Sequence, residues 1–346
     1  MKRGFLKTSK TQARPLGPVP APQPDSKTWA SISTFLSAKF KLVRTVFSRP
    51  EYETNDSTIL AVPEGLKEKI RYQECDPHGG STPDCMTFTT LPNGMEPGEP
   101  VTECFFFPGS KEVFMNLRGF PQPMVHPSTP AFRMAATPDK GTALFSTRKL
   151  KAGDHILTER PLFVGARGAP TEYHANLTRE QNTQYALNTL EQHFEISFKR
   201  MSTESKEAFM ALANSHKEDG SGPLVGVVRT NGLRLSGLRP GVKGDMGSYT
   251  AVCKDISRLN HSCSPNTSAR FDMLSFSYQL FAVHDIAKGE ELTYQYTPIN
   301  CSAAERNKAL VPYGFVCACT ACTNAPTSDP RRAAIEAFRP VVTEWV

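Results

Sequence analysis

Three cysteines lie within six residues near the C-terminal end of the chain, at Cys317, Cys319 and Cys322. With only 9 cysteines among 346 residues, so dense a group is improbable by chance. Structural zinc takes four ligands in a tetrahedron, so three local thiolates need a fourth donor from elsewhere. A distant fourth ligand would hold this segment against the body of the protein, which strongly constrains the fold.

Cys263 is the best candidate for the fourth ligand. It lies in the stretch NHSCSPN, residues 260–266, which is too polar for a core strand, and Pro265 prevents a helix from continuing there. Cys253 and Cys301 are the competing candidates. If Cys263 is the ligand, the metal brings the C-terminal segment against this polar stretch.

The distributions of cysteine and charge bear on compartment and partners. An odd, clustered set of cysteines is typical of metal ligation in a reducing compartment and not of a disulfide framework. Residues 1–50 hold ten Lys or Arg and one acid, a net charge of +9, so the other 296 residues carry 30 basic and 33 acidic groups, or −3. The basic segment predicts contact with nucleic acid, an anionic membrane or an import receptor, or else a solvated arm.

Composition divides the chain into five segments. The first is basic and proline-rich and is predicted to be disordered. The second is irregular except for an amphipathic helix over residues 27–48, which would dock on the domain, lie on a lipid surface or act as a mitochondrial presequence. No apolar run approaches the roughly 18 residues of a membrane-spanning helix. The segments are a tail, an irregular region, a main domain, a zinc segment and a C-terminal tail, over residues 1–26, 27–130, 131–298, 299–325 and 326–346.

The main domain begins with short β-branched and aromatic runs separated by turn signals, which predict a series of short strands. A helical insertion follows at about residues 170–235, where Thr178 and Gln181 fit a capping box. The apolar run at residues 224–228 has the length of a strand. Further strands come after the insertion, so the order of strands, helices and strands predicts an α+β fold of small sheets.

Four blocks of the sequence carry a family resemblance. They are KGTALFSTRKLKAGDHILTERPL, NHSCSPN, GEELTYQY and the C-x-C-x-x-C group. In this order they resemble the SET-domain lysine methyltransferases with a post-SET zinc segment, over roughly residues 131–323. No cysteine lies between residues 105 and 252, where the SET-and-MYND branch inserts a zinc finger. The better match is therefore to the MYND-less SET proteins common in fungi.

The resemblance implies a binding site for S-adenosylmethionine and an active-site tyrosine, Tyr296. It also implies a structural Zn²⁺ held by Cys263 with the C-terminal cysteine group. Two alternatives remain open: Asn260 and His261 could satisfy loop backbone, and a tyrosine at the end of a strand is often core. The implied cofactor-binding residues are Gly141, Thr142, Ala143, Asn231, Asn260, His261, Tyr296 and Phe315.

One departure from the family pattern separates two functions. The family's G-x-G reads Gly141-Thr142-Ala143 here, and a methyl group at residue 143 is harmless only if its φ is negative and Cβ points away from the cofactor. The first function is a protein-lysine N-methyltransferase acting on a protein substrate, with histones among the candidates. The second is a catalytically degenerate SET module that binds or scaffolds. Either would be intracellular, in the nucleus or the cytoplasm, with mitochondrial targeting also open.

Overall fold

A computed structural model describes residues 71–74, 85–93, 98–167, 173–239 and 248–343. The predicted tail at residues 1–26 and the predicted amphipathic helix at residues 27–48 lie outside the described residues. The elements form an α+β fold with three β-sheets, which confirms the predicted fold class.

Thirteen strands are present in the described ranges. They are β1 (Arg71–Glu74), β2 (Cys85–Leu91), β3 (Thr102–Phe106), β4 (Phe132–Thr137), β5 (Gly141–Ser146), β6 (His155–Glu159), β7 (Phe163–Ala166), β8 (Leu233–Ser236), β9 (Ser248–Val252), β10 (Asn260–His261), β11 (Thr267–Asp272), β12 (Ser277–Ala282) and β13 (Glu291–Tyr294). The three sheets have the orders β1-β2-β3-β7-β9-β8, β10-β13-β5-β4 and β11-β12-β6.

Seven α-helices accompany these strands in the same part of the chain. They are α1 (Ser110–Met115), α2 (Arg179–Arg200), α3 (Thr203–Met210), α4 (Pro223–Asn231), α5 (Ala303–Leu310), α6 (Thr320–Thr323) and α7 (Ala325–Thr343). No helix in the described ranges is long and apolar enough to cross a membrane.

The four-stranded sheet positions the polar stretch identified from the sequence. Strand β10 consists of Asn260 and His261 and runs parallel to β13, with Asn260 opposite Thr293 and His261 opposite Tyr294. Strand β13 in turn runs antiparallel to β5, which begins at Gly141. The opening block and the Asn-His pair are therefore separated by a single strand.

The region at residues 27–130 was predicted to be irregular apart from one helix, and here the prediction was wrong. Strand β3 is fully buried and pairs parallel with β7, while β2 pairs antiparallel with β3. Phe88, Phe105 and Phe106 have no exposed surface. A strand buried on both faces reads as a continuous apolar run and not as an alternation, so the period-2 signal was absent.

The insertion is helical, as predicted, and its first helix begins where the sequence indicated. Thr178 and Gln181 form a reciprocal capping box at the start of α2. The apolar run at residues 224–228 lies in α4, within the predicted helical insertion. Proline at the first position of α4 favours a helix, and the Glu191 carboxylate accepts hydrogen bonds from the main-chain N–H groups of residues 224 and 225.

Candidate functional site

The four predicted zinc ligands come together in the fold. The sulfur atoms of Cys263, Cys317, Cys319 and Cys322 all lie within 4.8 Å of one another. The sulfur of Cys263 is 3.8 Å from that of Cys317 and 3.5 Å from that of Cys322. Tetrahedral zinc with Zn–S bonds of about 2.3 Å separates its sulfur ligands by about 3.8 Å, so the group has the dimensions of a Cys₄ zinc site.

The competing cysteines lie elsewhere. Cys301 donates to the main-chain oxygen of Pro298 at 3.4 Å, and Cys253 is buried in the main hydrophobic core.

Burial would raise the pKa of the Cys319 thiol, but hydrogen bonds from the main chain at Cys322 and from Cys317 lower that pKa to about 6. Burial raises the pKa of the Cys263 and Cys317 thiols, so a metal, which binds the thiolate, would displace protons from them.

His261 connects this cysteine group to the rest of the site. Its Nδ1 accepts a hydrogen bond from the main-chain N–H of Tyr296 at 3.0 Å, so the ring proton lies on Nε2, which is 3.2 Å from the sulfur of Cys263. Burial, with a contribution from the nearby Arg306, lowers the pKa of His261 to about 4. The imidazole is therefore neutral at physiological pH, with both nitrogen atoms engaged.

Asn260 is oriented by a carboxylate that also holds the opening loop. The Nδ2 of Asn260 donates to Oε1 of Glu291 at 2.9 Å, and the other carboxylate oxygen of Glu291 pairs with Lys140 at 2.8 Å. Because Nδ2 is engaged in this way, the amide oxygen of Asn260 is the atom that remains for a ligand donor. Sequence reasoning missed Glu291 and Lys140, although both lie inside the quoted family blocks.

Tyr296 lies in an aromatic cluster beside the cysteine group. Its ring centroid is 4.9 Å from that of Tyr313, 5.3 Å from that of His261 and 6.4 Å from that of Phe315. Its hydroxyl donates to the main-chain oxygen of Leu259 at 2.7 Å. From this segment the sequence singled out Phe315 and gave no role to the ring of Tyr313, whose position depends on packing.

Unbroken alternation along a strand would place Tyr294 and Tyr296 on one face, and the structure separates them. Strand β13 ends at Tyr294, which packs against the main core, whereas Tyr296 packs against the cysteine group. Alternation of side chains holds only while the chain remains extended in the strand. The two hydroxyl groups therefore lie in different surroundings.

The opening loop departs from the family pattern without backbone strain. Gly141 has φ of +71°, and a Cβ built there would meet no atom within 4 Å, so space is open beside this backbone. Ala143 is fully buried within β5 and is absent from the described residues with positive φ. Thr142, between them, is exposed. The condition of a negative φ at residue 143 is thus met.

Asn231 contacts the insertion and the turn before β10. Its amide nitrogen donates to the main-chain oxygens of Ala213 at 2.6 Å and Val227 at 2.8 Å. Its own main-chain oxygen accepts from the hydroxyl of Ser257 at 2.9 Å. These contacts account for Asn231 as the last residue of α4, and its role at the cofactor stays a prediction.

Glu159 is a half-buried acid that supports the same turn and was missed in the sequence. Its carboxylate accepts hydrogen bonds from the main-chain N–H groups of Asp255 and Ile256, at 3.0 and 2.6 Å. Burial, with repulsion from Asp255, raises the pKa of Glu159 to about 8. The available signal was its position in TERPL, inside the opening family block.

The fold and this arrangement define a SET domain. A model of the SET domain family matches residues 141–297, and this part of the chain is a SET domain. The histone-lysine N-methyltransferase set5 of Schizosaccharomyces pombe is 29% identical over 196 residues, which is 56% of this chain and 51% of the relative.

Two further relatives match shorter segments. The histone-lysine N-methyltransferase SET5 of Meyerozyma guilliermondii is 38% identical over 96 residues, 25% of this chain and 20% of the relative. The human protein-lysine N-methyltransferase SMYD4 is 43% identical over 76 residues, 21% of this chain and 9% of the relative. The chain thus spans about half the length of the first relative and smaller shares of the other two.

Proposed function

We propose that this protein is an S-adenosylmethionine-dependent protein-lysine N-methyltransferase. The observation that carries the proposal is the position of the Tyr296 hydroxyl, which is fixed by Leu259 within an aromatic cluster next to the Asn260–His261 strand. The lysine methyltransferase names of the relatives support the same reaction class.

The residues present fit the cofactor. The open space at Gly141 would admit a ligand close to the backbone, and the free amide oxygen of Asn260 can accept from an ammonium group. Phe315 is 38% exposed and offers an aromatic face beside His261. S-adenosylmethionine supplies a methyl group on a sulfonium, which attracts electron-rich oxygen and aromatic groups of this kind.

The reaction needs a neutral amine. A lysine side chain has a pKa of about 10.4, which is more than three pH units above pH 7. The unreactive ammonium form is therefore favoured over the neutral amine by roughly 4 kcal/mol. Surrounding aromatic rings and a nearby sulfonium would disfavour the charged form and lower that pKa. The proton of the amine would leave to solvent first, and the bound cofactor would then supply its methyl group to the neutral amine and be left as the thioether.

Tyr296 is assigned to orient the amine and not to remove its proton. Burial, reinforced by Tyr313 and Glu291, raises the pKa of Tyr296 well above its ordinary value, so the phenol stays protonated. Its proton is directed at the main-chain oxygen of Leu259, which leaves the hydroxyl oxygen as an acceptor for an amine N–H. A fixed acceptor aligns the nitrogen lone pair with the methyl group, a contribution of proximity and orientation.

The cysteine group is assigned to one structural Zn²⁺ per chain. A site with four protein thiolates is closed, so it has no open position for a substrate or a reactive water. Through the contact between His261 and Cys263, this zinc would also hold the cofactor-facing strand in place. The metal then acts on the reaction only through structure.

The substrate is proposed to be a protein lysine, with histones the first candidates because set5 and SET5 are named for them. The corresponding compartments are the nucleus and the cytoplasm. Binding of nucleic acid by the basic N-terminal segment and mitochondrial targeting stay predictions from the sequence.

The test combines calorimetry and methyl transfer on the full chain. S-adenosylmethionine should bind with one site per chain, and labelled methyl groups should appear on lysine in a protein extract. Asn260→Ala should weaken cofactor binding, whereas Glu207→Ala, at an exposed position of α3, should not. A folded protein that binds no cofactor would overturn the proposal and favour the degenerate SET module.

A further inference from the structure

Arg306 is a charged residue with no exposed surface, located in α5 beside the cysteine group. Removing an ion from water costs several kcal/mol unless charged or polar partners replace the lost solvent. A fully buried guanidinium at this position therefore needs a specific electrostatic partner, and its contacts identify two.

The first partner is the cysteine group. The Nη2 of Arg306 donates to the sulfur of Cys322 at 3.6 Å and to the main-chain oxygen of Ala321 at 3.4 Å. Four thiolates and one Zn²⁺ carry a net charge of −2, so a cation at this distance from one sulfur stabilises the loaded site. Arg306 thus contacts a ligand without being one.

The second partner is the C-terminal helix α7. The Nη1 of Arg306 pairs with Oδ1 of Asp329 at 3.2 Å and also donates to the main-chain oxygen of Cys301. The other oxygen of Asp329 accepts from the main-chain N–H of Ala303 at 2.9 Å, at the beginning of α5. The same guanidinium therefore contacts both the ligand loop and α7.

A second arginine, Arg332, lies on α7 and contacts Cys263, the predicted zinc ligand that is distant in the sequence. The Nη2 of Arg332 donates to the main-chain oxygen of Cys263 at 2.8 Å, and its Nη1 donates to that of Ile299 at 2.6 Å. Helix α7 is otherwise largely exposed along its described side chains, including Ile335 and Phe338. Its attachment to the domain is thus concentrated where the cysteine group lies.

We propose that Arg306 is a positioning residue of the metal site, which stabilises the Cys₄ zinc centre through Cys322 and couples it to the docking of α7 through Asp329. The inference rests on the proposed zinc site and goes beyond it. Loss of the metal would leave the buried cation without one of its two anionic neighbours, and α7 would be held less firmly. Loss of Arg306 would in turn speed the release of zinc.

The experiment measures the rate at which a chromophoric chelator removes zinc from the full-length protein. Arg306→Met should release zinc roughly 10- to 100-fold faster, the usual range for outer-sphere partners of a metal ligand. Arg306→Lys, which keeps the charge but loses the fork of donors, should lie between wild type and Arg306→Met. The matched control is Arg331→Met, at an exposed position of α7, which should release zinc at the wild-type rate.

Asp329→Asn covers the case in which Arg306→Met fails to fold. Asn keeps an oxygen for the main-chain N–H of Ala303 and removes only the charge opposite Arg306, so the variant should fold and still release zinc several-fold faster. Hydrogen exchange should show that chelation unprotects α7 in the wild type before the SET-domain strands.

The outcomes separate the two proposals. A wild-type protein that binds no zinc would overturn the metal site and this inference together. If the wild type binds zinc and Arg306→Met and Asp329→Asn release it at the same rate as Arg331→Met, only the role of Arg306 is overturned. Faster zinc release with α7 still protected would overturn the coupling to that helix.

Discussion

The hydroxyl of Tyr296 donates to the main-chain oxygen of Leu259, the residue immediately before the Asn260–His261 strand, at 2.7 Å. The main-chain N–H of Tyr296 donates to His261 on the same strand. One tyrosine is thus hydrogen-bonded at both ends to the segment assigned to the cofactor. The position of the hydroxyl oxygen and the position of the cofactor-facing strand cannot change independently.

Tyr296→Phe should lower the rate of methyl transfer by 10²-fold or more, the scale of losing one positioned polar group in a transition state. The ring packing against Tyr313 is retained, so the free energy of unfolding should fall by only about 1 kcal/mol for the lost hydrogen bond. Cofactor affinity, measured by calorimetry, should change less than the rate.

Tyr294→Phe is the matched control, since it removes a hydroxyl two residues away in the main core. It should leave the rate within a few-fold of wild type. Full activity in Tyr296→Phe together with inactivity in Tyr294→Phe would show that the active-site tyrosine is misassigned by two residues.

Cys263→Ser should abolish stoichiometric zinc, because it removes the ligand contributed from outside the C-terminal group. The melting temperature should fall as the C-terminal segment loses its attachment. Cys301→Ser, at a half-buried cysteine outside the group, should keep one zinc per chain. Metal analysis of both purified variants decides the assignment, and retention of zinc by Cys263→Ser would refute it.

Ala143→Gly should change S-adenosylmethionine affinity little, because Ala143 already adopts an ordinary strand conformation and its methyl group is fully buried. Glycine in a strand costs roughly 0.5–1 kcal/mol, so a slightly lower melting temperature is the expected effect. Calorimetry checks the affinity. Binding that is absent in the wild type and appears in Ala143→Gly would mark the natural protein as a degenerate module.

His193 should make the protein less stable in mild acid. Burial lowers its pKa from 6.5 to about 4, and its ring stacks on Phe105 at 4.8 Å. Below pH 6.5 the unfolded chain binds a proton at this histidine and the folded protein does not. The free energy of unfolding therefore decreases as pH falls from 6.5 to 4. The pKa difference corresponds to about 3 kcal/mol.

Denaturant titrations at several pH values test this effect. His193→Phe, which keeps an aromatic ring against Phe105, should remove that part of the acid sensitivity. His284→Phe replaces an exposed imidazole and should keep the wild-type pH dependence. An unchanged slope in His193→Phe would exclude His193 as the source.

The site was predictable from the sequence where chemistry depends on residue type and order. Cys263 was selected because a thiol in a polar loop has few other uses, and the capping box at Thr178 follows from local geometry alone. Residues whose contacts depend on tertiary packing carry no such signal in the sequence. Glu291, Tyr313 and Arg306 are ordinary residue types whose roles depend on which neighbours the fold supplies.

The fold was predictable where strands are half exposed. Strands β5, β6, β12 and β13 lie within runs recognised from their composition and flanking turns. Strand β3 was missed because burial on both faces removes the alternation. In β2, Met86 and Phe88 do alternate with threonines, but the strand lies in a segment rich in Pro, Gly and Thr that was taken as irregular. Helix α4 was not located within the predicted helical insertion, because five apolar residues alone fit a strand or a buried helix equally. The proline at its first position and the contact with Glu191 favour the helix.

The parallel pairing of β3 with β7 also limits where the chain can be truncated. The SET family match begins at Gly141, yet β7 has β3 as its neighbour on one side. A fragment trimmed to the family boundary would expose an unpaired, apolar strand edge, which is a template for aggregation. During synthesis on the ribosome, β3 likewise leaves the exit tunnel before β7 exists, so the edge of β3 that does not pair with β2 stays open until about 60 further residues emerge.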